Sequence, residues 1–136
     1  MAFPTYTKTF HTKFYDAVSP SRPEVSTVGK VVLVTGGGAG LGPRIVHAFA
    51  TSGSTKIAIL GRTASTLDST KIEVEAQHPG VKVLTFVADI VDKGAVTAAF
   101  ESTKKEFGPI DILISNASVL PDAEPIATAN IDEVRS

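Results

Sequence analysis

The stretch VTGGGAGLG, Val34 to Gly42, carries glycine at five of its nine positions. KVVLVT (Lys30 to Thr35) leads into it, a short apolar and β-branched run of the kind found in strands buried on both faces. Beyond it, Leu41, Ile45, Val46, Phe49 and Ala50 recur at helical spacing, and Gly53 supplies a stop. Pro43 falls in the first turn of that helix, where its missing N–H costs nothing. The stretch therefore reads as a strand–loop–helix junction whose loop is nearly bare of side chains.

The same alternation continues downstream. KIAIL (Lys56 to Leu60) is a second strand, and a polar helix runs from about Thr63 to Gln77, halted by Pro79 and Gly80. VKVLTFVA (Val81 to Ala88) is a third strand. Val96, Phe100, Thr103 and Phe107 mark a third helix, ended by Gly108 and Pro109. IDILIS (Ile110 to Ser115) is a fourth strand. Strands alternating with helices predict a parallel sheet, and right-handed crossovers make it doubly wound. After Ser115 the chain turns irregular through Pro121 and Pro125. NIDEVRS (Asn130 to Ser136) reads as the start of another helix.

Residues 1–28 differ from the rest. Phe3, Tyr6, Phe10 and Phe14 fall at helical spacing, and SPSRPE (Ser19 to Glu24) reads as an extended linker, since proline disfavours helix at itself and at its predecessor. The segment is expected to be a strap packing its aromatics on the domain formed by residues 29–136. The lack of arginine before Arg22 speaks against a transit peptide.

Composition narrows the function classes. The chain is 43% hydrophobic and 20% charged, an ordinary globular mixture that argues against disorder. A net charge of -1 removes the electrostatic case for nucleic acid or an anionic membrane as partner. The absence of cysteine excludes disulfides, thiol catalysis and cysteine-ligated metals, and it fits a cytoplasmic location. No apolar run approaches the ~18 residues of a membrane helix. His11, His47 and His78 are scattered without metal-ligand spacing, and they read as surface or packing residues.

The glycine loop stands where a doubly wound sheet binds ligands, at the carboxyl end of a strand. The helix that follows offers unpaired N–H groups and a positive dipole end. A pyrophosphate can reach them when no Cβ intervenes; the competing reading is a tight turn with no ligand. The common dinucleotide fingerprint G-x-G-x-x-G fails here, because Gly38 and Gly40 would require glycine at Pro43. T-G-x-x-x-G-x-G fits, with Thr35, Gly36, Gly40 and Gly42.

At these residues the chain resembles the short-chain dehydrogenase/reductase family, from about Lys30 to its C-terminus. The resemblance implies a Rossmann-type sheet, here truncated after about four strands. It implies a dinucleotide held at Gly36, Gly38, Gly40, Leu41 and Gly42. Gly61 and Arg62 follow the second strand where an NAD site would place an acid for the ribose hydroxyls. Arg62 instead offers a planar fork of donors to a 2′-phosphate, so NADP is expected rather than NAD; a solvated strand-end arginine is the competing reading. In ADI (Ala88 to Ile90) the resemblance gives Asp89 to the adenine amino group and Ile90 to the ring face. The alternative is a helix N-terminal acid, since Asp89 and Asp92 both precede the third helix. SNAS (Ser115 to Ser118) matches the family's N-N-A-G at Asn116 and Ala117. Ser118 replaces the glycine that allows close approach to the cofactor ribose. Asn116 is expected to bond backbone groups across the sheet ends.

The family's chemistry needs a tyrosine with a lysine four residues later, a serine and a helix asparagine. Tyr6 and Tyr15 are followed at that spacing by Phe10 and Ser19, and Asn130 comes too soon after SNAS. The catalytic serine, tyrosine and lysine are therefore expected after Ser136. The reading that emerges is the NADP-binding portion of a short-chain oxidoreductase, inactive alone, whose family passes hydride between nicotinamide and an alcohol or carbonyl. The alternative is a non-catalytic nucleotide-binding or interaction module that associates through the exposed edge of the fourth strand. An S-adenosylmethionine site is poorly served by Gly61 and Arg62, because it wants an acid there.

Overall fold

A computed structural model describes residues 15–118. Two short 3-10 turns, Asp16–Val18 and Pro23–Val25, precede β1 (Val31–Thr35). There follow α1 (Gly42–Thr51), β2 (Lys56–Gly61), α2 (Ala64–Gln77), β3 (Lys82–Val87), α3 (Lys93–Phe107) and β4 (Ile112–Ile114). The four strands form one parallel sheet in the order β3-β2-β1-β4. Val32 of β1 stands between Ile57 of β2 and Ile112 of β4. This is the expected α/β architecture, a four-stranded doubly wound sheet.

Side-chain alternation divides the core into two layers. Val32, Val34, Ile57, Ile59 and Val83 face α1 and α2, where Val46, Ala50, Leu67 and Val74 meet them. The opposite face of β2 and β3 sends Leu60 and Phe86 toward Ala95, Val96 and Ala99 of α3. With apolar neighbours on both sides, Val31 to Val34 are all buried. This is why β1 reads as an unbroken apolar run rather than an alternating one. No helix among the described residues is long and apolar enough to cross a membrane.

The strand order has a functional consequence. The chain steps from β1 to β2 on one side, and returns after β3 to the other side of β1. The carboxyl ends of β1 and β4 therefore diverge at a topological switch point, where doubly wound sheets open a crevice.

Strand β4 is shorter than the six residues expected, because side chains replace ladder bonds at both its ends. At its start, the Asp111 carboxylate accepts from the Val31 N–H at 2.8 Å, and the Asp111 N–H donates to the Val31 carbonyl at 3.0 Å. Beyond its end, Thr35 Oγ1 accepts from the N–H groups of Asn116 (3.0 Å) and Ala117 (3.1 Å).

The segment before β1 departs from the extended linker read from its sequence. Arg22 is extended, as the residue before a proline should be, but Pro23 opens a 3-10 turn, a first-turn position that proline tolerates. Thr27 ties this segment to α1: its N–H donates to the Ser52 carbonyl at 2.8 Å, and the two hydroxyls lie 2.6 Å apart. Phe3, Tyr6, Phe10, His11 and Phe14 lie outside the described residues, as do Asn130 and the NIDEVRS segment.

Candidate functional site

A cleft of ≈ 440 Å³ opens at the carboxyl edge of the sheet. The β1–α1 loop contributes Gly36, Gly38, Ala39, Gly40 and Leu41; the β2–α2 junction contributes Gly61, Arg62, Thr63 and, from the first turn of α2, Thr66; Ala88, Asp89 and Ile90 follow β3; Asn116 to Ser118 follow β4. Nine of the ten residues singled out from the sequence thus share one cavity. The tenth, Gly42, does not line it: it is buried in α1, and a Cβ there would lie 2.0 Å from the Gly36 carbonyl oxygen. Its bareness is required by the packing of helix on loop.

The same test separates the other glycines. A Cβ on Gly37 would strike Ile59 at 2.6 Å, and one on Gly38 would meet Thr66 Oγ1 at 2.7 Å. Gly36 combines φ +69 with contacts at 2.9–3.1 Å to Asn116 and Ala117. Gly40 alone of the five meets nothing within 4 Å; its φ of +61 is what favours glycine there. Much of the loop's glycine content is thus demanded by its neighbours in the fold, a cause that the sequence pattern does not reveal.

What remains for a ligand is a set of donors. The N–H groups of Gly36 and Gly37 both donate to the Leu60 carbonyl, at 2.7 and 3.2 Å, and that of Gly42 donates to Ala39 at 3.1 Å. Among the described residues no backbone acceptor takes the N–H groups of Gly38, Ala39, Gly40 and Leu41. They stand at the N-terminal end of α1, whose first turn has no acid and no side-chain cap. The arrangement suits an anion.

At the β2 end, Arg62 is exposed and makes no ion pair among the described residues. Thr63 precedes α2 without capping it, so the first N–H groups of that helix also lack a side-chain acceptor. Thr63 and Thr66 were missed in the sequence; the available signal was two hydroxyls one helical turn apart, directly after Arg62.

The two aspartates before α3 have separate roles. Asp92 is the N-cap, its carboxylate accepting from the Ala95 N–H at 3.0 Å. The Asp89 carboxylate accepts from the Val91 N–H at 3.1 Å and from no other donor among the described residues, and Asp89 lines the cleft. The helix therefore does not need Asp89 as its cap. Asn116 meets its expectation: its side-chain amide donates to the carbonyls of Thr35 (3.1 Å) and Gly36 (3.3 Å), fastening β1 to β4 beneath the cleft.

Away from the cleft, the fold joins two histidines that are far apart in sequence. His47 Nδ1 of α1 lies 3.3 Å from His78 Nε2, and Glu73 Oε1 lies 3.6 Å from His47 Nε2. Among the described residues no group of three or more His, Cys, Asp or Glu could hold a metal ion.

Comparison with known proteins gives a consistent result. The sequence profile of a family described as short chain dehydrogenase matches residues 30–136. A short chain dehydrogenase/reductase of Aspergillus aculeatus, AacuD, is 33% identical over 99% of this chain and 46% of its own length. An NADP-dependent 3-hydroxy acid dehydrogenase of Schizosaccharomyces pombe is 31% identical over 77% of this chain and 40% of its own. Among solved structures, L-sorbose reductase from Gluconobacter frateurii, complexed with NADPH and L-sorbose, is similar with TM-score 0.70 and 30% identity. That match covers 79% of this chain and 40% of the other. The chain spans less than half the length of each of these relatives.

Proposed function

The chain belongs to the short chain dehydrogenase family, and on that premise we propose that its cleft binds NADP and that it forms the cofactor-binding portion of an oxidoreductase. The family uses a nicotinamide dinucleotide, and a solved relative carries NADPH. The single observation behind the choice of NADP is that one cleft holds two separate anion-seeking groups. The spare N–H groups of Gly38 to Leu41 suit a pyrophosphate. Arg62, with no carboxylate beside it on Gly61 or Thr63, suits a second phosphate on the ribose.

The remaining contacts fit the same guest. Asp89 offers an acceptor to the adenine amino group, and exposed Ile90 offers an apolar surface to the ring. When bound, the cofactor supplies hydride. The residues of this chain orient it: the loop by backbone donors, Arg62 by charge, and Asn116 by holding the β1 and β4 ends together under the loop. Within residues 1–136 no tyrosine is followed four residues later by lysine.

Titration of the chain with NADPH and NADH, followed by calorimetry, tests the reading. NADPH binds the more tightly, and Arg62→Ala weakens NADPH by about tenfold or more while sparing NADH, since bonds to a charged group contribute roughly 1.5–3 kcal/mol. Equal affinities, or no loss in the variant, contradict it.

A second reading, association through the β4 edge, is favoured by one observation. Leu113 is 48% exposed, and no strand among the described residues pairs with the outer side of β4. Light scattering over a concentration series distinguishes it: a monomer at all concentrations rejects it.

A further inference from the structure

Gly38 and Thr66 belong to different βα junctions, yet the fold presses them together. A Cβ on Gly38 would lie 2.7 Å from Thr66 Oγ1, 3.0 Å from Leu67 N and 3.2 Å from Leu67 Cδ2. Gly38 has no positive φ, so a side chain there is opposed by its neighbours and not by its backbone. Those neighbours cannot readily yield. The Thr66 hydroxyl donates to the Thr63 carbonyl at 3.0 Å, which fixes its rotamer within the first turn of α2. The Leu67 N–H donates to the same carbonyl at 3.3 Å, and the Leu67 side chain is fully buried. A substitution at Gly38 must therefore move the loop away from α2.

The two junctions carry the two anion-seeking groups of the cleft: the spare N–H groups begin at Gly38, and Arg62 stands one residue before Thr63. We propose that Thr66 is a positioning residue that sets the distance between the β1–α1 loop and Arg62, and thereby the preference for NADPH over NADH. The inference rests on the reading that the cleft binds NADP. The physical basis is that NADPH bridges both groups whereas NADH engages the loop alone. Charge-assisted bonds to a phosphate are short and directional, so a shift of the loop by tenths of an ångström penalises the bridging ligand most.

The test is the ratio of NADH to NADPH dissociation constants in the 136-residue chain, read from the fluorescence of the reduced nicotinamide, with circular dichroism melts as a folding control. Gly38→Ala lowers the ratio by about tenfold, mainly through NADPH. Thr66→Ala lowers it by about threefold, because the first turn of α2 loses its tie. Thr66→Ser, which keeps the hydroxyl, retains the wild-type ratio. The double variant Gly38→Ala/Thr66→Ala recovers part of the Gly38→Ala loss, because the atom nearest the new Cβ is gone. Contacting residues should show such non-additivity. If Gly38→Ala does not fold, Thr66→Ala against Thr66→Ser decides.

Arg62→Ala separates the positioning role of Thr66 from the binding of NADP itself. A ratio that collapses in Arg62→Ala but stays unchanged in Gly38→Ala and Thr66→Ala overturns the role of Thr66 alone. Strictly multiplicative losses in the double variant do the same. A ratio unaffected by Arg62→Ala, or no binding of either nucleotide, overturns the NADP reading and this inference with it.

Discussion

Asn116 donates twice to Thr35: its side-chain amide to the Thr35 carbonyl at 3.1 Å, and its backbone N–H to Thr35 Oγ1 at 3.0 Å. Together they stitch β1 to β4 where the regular ladder stops. Asn116→Ala leaves the Thr35 and Gly36 carbonyls short of a donor in a partly buried place. It is expected to cost about 1–3 kcal/mol in urea unfolding. Asn116→Asp should cost more, because a carboxylate then faces two carbonyl oxygens. A variant as stable as the parent contradicts this role.

The five loop glycines should respond unequally to alanine. Gly42→Ala drives a Cβ to within 2.0 Å of a backbone carbonyl, which no side-chain rotation can relieve. A loss of at least about 3 kcal/mol, or failure to fold, is expected. Gly40→Ala meets no atom and pays only for its φ of +61, about 1–2 kcal/mol. Gly40→Asn should cost less still, since asparagine tolerates that region. Chemical denaturation of the three variants measures the order, and equal losses at the two positions rule out this division of labour.

Asp111 makes the β1–β4 junction sensitive to acid. Its bond from the Val31 N–H, aided by Lys30, holds its carboxyl below the usual carboxylate range. A carboxyl with a depressed folded-state value contributes stability that is fully present above its ordinary value of 3.8. That contribution is lost as the pH falls through the lower folded-state value. Melting temperatures from neutral pH downward should therefore fall more steeply for the parent than for Asp111→Asn. Parallel curves would show that the bond carries no proton linkage.

The fold was legible because its signals are local and repeated. KVVLVT and KIAIL are apolar on both faces, and Pro79–Gly80 and Gly108–Pro109 punctuate the helices. Asn116 and Asp89 were legible as well, since each follows a strand directly. Three features were not. Thr66 reaches the cleft only because α2 starts beside the glycine loop. The reason for glycine at positions 37, 38 and 42 lies in Ile59, Thr66 and the Gly36 carbonyl, contacts between segments that no spacing rule connects. The pairing of His47 with His78 likewise depends on how α1 packs on α2.

NADP binding in this cleft, with Arg62 at one end and the Gly38–Leu41 donors at the other, is the proposal on which the others depend. It is tested most directly by amide chemical-shift changes in the labelled chain on adding NADPH or NADH. Both nucleotides should shift Gly38, Ala39, Gly40 and Leu41, and NADPH alone should strongly shift Arg62 and Thr63. Changes confined to residues far from the cleft, such as Phe49 and Ser52, or identical patterns for the two nucleotides, would contradict it.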